Sequence, residues 1–80
     1  MKIYEAVTAR IKQLCDQRDL TVNGLAYLCG LSPSTVKSII YGASKNPGVA
    51  TIKMICDGLE ITLVQFFQSP LFDKLEQEIE

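Results

Sequence analysis

Eighty residues with 48% hydrophobic content suffice for one domain and one core, and folding buries only roughly 60–65% of the unfolded surface of so short a chain. There is no histidine, and the three cysteines (Cys15, Cys29, Cys56) are widely spaced. Histidine-based acid–base catalysis and a four-ligand zinc site are therefore excluded, and the cysteines read as small buried hydrophobes. The net charge of −1 is unevenly spread: residues 20–56 hold Lys37, Lys45 and Lys53 and no acid, whereas residues 57–80 hold six acids against Lys74 alone.

Residues 3–18 read as a first helix, because Ile3, Val7, Ile11 and Leu14 step by four, four and three into one apolar stripe flanked by charged and amide side chains. Asp19-Leu20 ends it and Thr21 caps a second helix, within which Gly24 costs up to about 1 kcal/mol relative to alanine unless close packing requires it. Ala26 permits close helix approach and Gly30 supplies the positive φ of a sharp exit. Ser32 then caps a third helix that has Pro33 at its first position and runs to about Tyr41, where Gly42 stops it. Leu25, Cys29, Leu31, Val36 and Ile39 are spaced to meet in one small core. Two short helices about a glycine turn form the unit that places a helix in the DNA major groove.

Residues 43–48, Ala-Ser-Lys-Asn-Pro-Gly, are turn formers. A fourth helix is predicted from about Val49 to Gly58 with Ile52, Ile55, Cys56 and Leu59 inward, and a short fifth begins at an N-cap, Thr62, with Leu63, Phe66 and Phe67 inward. Ser69-Pro70 repeats the cap-then-proline start, predicting a sixth, amphipathic helix over 70–79 with Leu71, Phe72, Leu75 and Ile79 on one stripe. That stripe either folds back on its own domain or pairs across a two-fold dimer. The expected architecture is all-α: a compact five-helix domain over residues 1–69 and an acidic helical tail over 70–80. No signal peptide or membrane-spanning run is seen, which predicts a cytoplasmic protein.

Residues 7–67 resemble the phage-repressor (Cro/C1, XRE-type) helix-turn-helix family. The resemblance rests on Arg10-Ile11-Lys12-Gln13-Leu14, Leu20-Thr21, Leu25-Ala26, Gly30-Leu31-Ser32, Ser34-Thr35-Val36, Ile39, Gly42, Asn46-Pro47, Thr51-Ile52 and Phe66-Phe67. It implies a sequence-specific, often dimeric regulator of transcription, here a small repressor, with double-stranded DNA as partner and no enzymatic activity, cofactor or metal. Val22 stands where relatives usually place a phosphate-bracing glutamine, and Pro33 where many place a base-reading arginine or glutamine. Base contact then falls to Ser34, Lys37 and Ser38, and phosphate contact to Thr21, Thr35, Tyr41, Lys45 and Asn46, with Lys53 adding positive charge. Cys15 and Ile40 replace an ion pair common in the family, which predicts an apolar contact in its place. A second reading keeps the fold but not the DNA contact: a protein-interaction or antitoxin-like module docking through Tyr27 and Leu28 or through the C-terminal helix.

Overall fold

The computed structural model describes residues 1–79 and contains five α-helices, with no strand among those residues. The first, α1 (Ile3–Gln17), starts where the Glu5 carboxylate accepts the Lys2 backbone N–H at 2.9 Å. In α2 (Val22–Cys29) the Thr21 hydroxyl oxygen accepts the Gly24 N–H at 3.0 Å. The helix ends at Gly30, whose φ of 69° lets the Leu31 N–H turn back to the Ala26 carbonyl at 3.1 Å. Ser32 caps α3 (Pro33–Ile40) by accepting the Thr35 N–H at 3.2 Å. After the 43–48 turn come α4 (Val49–Leu59) and α5 (Leu63–Phe67). The last is only five residues long, and a reciprocal pair defines its start: the Gln65 N–H donates to the Thr62 hydroxyl at 3.0 Å, and the Thr62 N–H to the Gln65 side-chain oxygen at 2.8 Å.

One core takes a face from every helix. Ile11, Leu14, Leu25, Val36, Ile55, Leu59 and Phe66 are among its buried members, and Leu31 packs against it partly buried. Cys15 and Ile40 both lie in this cluster, and none of its members is charged. Two residues expected inside are more open. Ile3, 36% exposed, lines a cleft at the start of α1 instead of the core, and Phe67, 39% exposed, packs its ring on aromatic neighbours at the rim.

Gly58 does not end the fourth helix. α4 continues to Leu59 and closes on Glu60, which adopts the left-handed conformation (φ 58°). Gly58 instead lies where α4 meets the backbone of α2: a Cβ there would stand 2.8 Å from the Leu28 carbonyl oxygen and 2.6 Å from the Cys29 Sγ. Gly24 is less demanding, since a Cβ on it would meet only the Thr21 hydroxyl oxygen at 3.3 Å and a Leu20 methyl at 3.6 Å.

The expected sixth helix over 70–79 does not form. Ser69 and Pro70 start a single 3-10 turn, Pro70–Phe72, with the Ser69 hydroxyl accepting the Leu71 N–H at 3.3 Å. The Phe72 ring is then captured by Phe67 (centroids 5.0 Å apart) and Phe66 (6.3 Å). The Glu76 N–H, which an α-helix would direct to the Phe72 carbonyl, bonds the Met1 carbonyl at 3.1 Å. Tertiary contacts thus override the helical periodicity. Leu71, Phe72 and Leu75 become partly buried against the chain's own domain, while Ile79 stays 78% exposed. Glu80 of the expected tail lies outside the described residues.

All three thiols are free and buried. Burial pushes the Cys29 thiol from its ordinary 9.0 up to about 11, with Cys15 and Cys56 adding to the shift, and burial also raises Cys15 and Cys56. The thiolate is thus easier to form in the unfolded chain. Stability from Cys29 is intact below pH 9 and is lost as the pH climbs toward 11.

Two predictions follow from this packing. Gly58→Ala will destabilise the fold by about 1–3 kcal/mol, because backbone atoms must yield, and Gly24→Ala will cost clearly less; urea midpoints for both variants check this. Repeating the urea titration between pH 8 and pH 10.5 will show stability falling with pH, and the fall will be shallower in Cys29→Ala.

Candidate nucleic-acid interface

Val36, Ile39 and Ile40 turn one side of α3 into the core, so helical geometry turns Ser34, Lys37, Ser38 and Tyr41 the other way. Ser34 and Lys37 are exposed, whereas Ser38 is half-buried and its carbonyl accepts the Ser44 N–H at 2.8 Å. That bond folds the start of the following loop back onto the helix. Tyr41 is 72% exposed and so takes no part in the core. The outward strip therefore offers two hydroxyls, one ammonium and one phenol, with no carboxylate among them.

The remaining phosphate candidates differ in how freely they are presented. Thr35 is exposed on one side of α3, its hydroxyl 2.9 Å from that of Ser32. Thr21 is exposed at the start of α2, where its oxygen is occupied by the Gly24 N–H while its own proton has no acceptor among the described residues. Lys45 and Asn46 are exposed in the loop, and the Lys45 ammonium stands 5.9 Å from the centre of the Tyr4 ring. This contact ties the loop cation to α1. Lys53 is less available than its sequence position suggests, because its ammonium pairs with the Asp57 carboxylate one turn along α4.

The start of α4 is also positive in character. Gly48 caps α4 without a side chain, and the first turn of α4 contains no acid. Its leading N–H groups therefore have no side-chain acceptor, and the positive end of the helix dipole is left uncompensated. The segment from Leu20 to Cys56 has no acidic residue at all.

Two side chains outside the candidates marked by sequence join distant helices. Arg10 joins α1 to the end of α5: its Nε donates to the Phe66 carbonyl at 2.7 Å and its Nη2 to the Gln65 carbonyl at 2.8 Å. A guanidinium fork thereby satisfies carbonyls that so short a helix leaves without partners. Thr8 likewise donates its hydroxyl to the Ile39 carbonyl at 2.9 Å, fixing α3 on α1. Arginine beside an apolar stripe is a faint signal, because its acceptors lie more than fifty residues away in the chain.

A family model for the Cro/C1-type HTH DNA-binding domain matches residues 10–68. The crystal structure of the prophage Lp1 protein 11 has the same architecture, with a TM-score of 0.79 and 37% sequence identity, covering 94% of this chain and 100% of that one. No curated protein matches the chain. The glycine turn between α2 and α3, the outward strip on α3 and the span of the family match lead to one assignment: the chain belongs to the Cro/C1-type helix-turn-helix DNA-binding family.

Proposed function

We propose that this protein is a sequence-specific transcriptional regulator, a small repressor acting in the cytoplasm, that inserts α3 into the major groove of double-stranded DNA. The observation that carries this reading is the exposed, carboxylate-free strip on α3, set within a segment of the chain that has three lysines and no acid. Ser34, Lys37 and Ser38 read base edges. Lysine suits a guanine, whereas serine hydroxyls donate or accept and so tolerate several bases, which makes the specificity modest. Thr21, Thr35, Tyr41, Lys45 and Asn46 hold the backbone, and the uncapped start of α4 offers its N–H groups to a further phosphate. A homodimer on half-sites about 34 Å apart gives such a weakly charged domain enough contacts. The acidic residues 73–78 face away from DNA.

One observation favours a second reading, a protein-interaction or antitoxin-like module. Tyr27 is 87% exposed and Leu28 48% exposed on α2, an apolar pair on a surface where charge costs nothing.

Fluorescence anisotropy of a labelled mixed-sequence duplex, titrated with protein at about 50 and 200 mM salt, separates the two. The DNA reading predicts a slope of log K on log salt of about −3 to −4.5, from three to five phosphate contacts per monomer. It also predicts that Lys37→Glu with Lys45→Glu abolishes binding. A wild-type protein that fails to bind at low salt, or a doubly reversed variant that binds as well, contradicts it.

A further inference from the structure

Between the start of α1, the 43–48 loop, α4 and α5 lies a cleft of about 180 Å³. Ile3, Val7, Pro47, Ile52 and Phe67 supply its apolar lining. Three further lining residues carry polar ends: Tyr4, Lys45 and Asn46. No acidic residue lines it, and Lys45 has no carboxylate partner among the described residues. An apolar cavity of about 150 Å³ accommodates a benzene ring, so this cleft has room for one ring bearing a small substituent.

The chemistry of the lining narrows the class of ligand. A cation meets an ammonium and no carboxylate, and is excluded. An aliphatic or aromatic hydrocarbon fits the walls but leaves the Lys45 charge without a counter-ion. A single anionic group on an aromatic ring satisfies both, with the ring against Val7, Ile52 and Phe67 and the charge at Lys45. The Asn46 amide and the Tyr4 hydroxyl are additional donors in the same lining.

We propose that this cleft binds a small aromatic monocarboxylate, and that the bound ligand draws Lys45 away from DNA. The second half rests on the function proposed above, in which Lys45 and Asn46 hold a phosphate. The first half stands without it. The same ammonium cannot be fully paired with a ligand carboxylate and with a phosphate at once, so occupancy of the cleft lowers DNA affinity. This makes the 43–48 loop a point of control within a single small domain.

The test is a ¹H–¹⁵N NMR titration of the full chain with sodium benzoate, compared at constant ionic strength with benzyl alcohol, which lacks the charge. Saturable shifts centred on Tyr4, Val7, Lys45 and Ile52 are expected, with benzoate at least about threefold tighter than benzyl alcohol, as befits one exposed ion pair. Lys45→Met keeps the length of the side chain and removes its charge. The advantage of benzoate will vanish in this variant, and its otherwise unchanged spectrum will show that the fold persists. Absence of saturable shifts, shifts centred elsewhere, or equal affinity for the two probes overturns the ligand assignment. Duplex anisotropy at constant ionic strength, with sodium chloride replaced by sodium benzoate, reads the coupling: benzoate at saturation will weaken DNA binding in the wild type and not in Lys45→Met, and benzyl alcohol will not weaken it in either. DNA binding indifferent to saturating benzoate overturns the control. A wild-type protein that binds no duplex overturns the DNA reading and the control together, while the NMR result alone decides the ligand site.

Discussion

Contact between the Gly58 backbone and the Leu28 carbonyl is the constraint on which the arrangement of the helices depends. Only a residue without a side chain lets α4 approach α2 this closely, because a Cβ would stand 2.8 Å from that oxygen. With α2 held against α4, the left-handed Gly30 and the Ser32–Pro33 start of α3 set the direction of the next helix within a few residues. The face that α3 turns outward is thus settled by the close approach of α4 to α2, by the Thr8 hydroxyl bond to the Ile39 carbonyl and by the two local signals. The side chains on that face are then free to be chosen for recognition, since none of them supports the core.

The same economy holds at the opposite end of the chain. A five-residue helix has almost no hydrogen bonds of its own, and α5 exists because Thr62 and Gln65 satisfy its start while Arg10 satisfies its last carbonyls. Phe66 is fully buried as a result, and its ring helps hold Phe72 and the 3-10 turn that follows. The tail therefore needs no helix to bring Leu71, Phe72 and Leu75 partly under cover. The thiols take core positions as small apolar groups: Cys15 lies in the buried cluster, and burial pushes its thiol pKa up.

Much of the fold was legible because its signals are local. Thr21, Gly30, Ser32, Pro33 and Thr62 each act on neighbours within a turn, so their residue types disclose their roles. The role of Gly58 is not legible in the sequence, because a glycine required by contact with another helix looks the same as any other glycine in a helix. The tail was misread for a related reason: its periodicity is helical, but the captured Phe72 ring and the bond between Glu76 and Met1 are made to distant residues. At the interface, exposure of Ser34 and Lys37 is readable from the apolar positions 36, 39 and 40, which define the opposite side of α3, whereas a tyrosine at the helix end suits the core rim as well as solvent and the exposure of Tyr41 is not. The fork of Arg10 on α5 and the Tyr4 ring beside Lys45 were not, since both join segments tens of residues apart.

The central claim is that the α3 strip and the surface flanking it form one DNA-facing side. Amide chemical-shift mapping of the ¹⁵N-labelled chain with a short duplex at low salt tests it most directly. The account predicts that perturbed amides cluster on Ser34–Tyr41, on Thr21–Gly24 and on Lys45–Thr51, leaving α5 and residues 70–79 undisturbed. Perturbation confined to Tyr27 and Leu28 or to the tail, with α3 silent at saturating duplex, would contradict it.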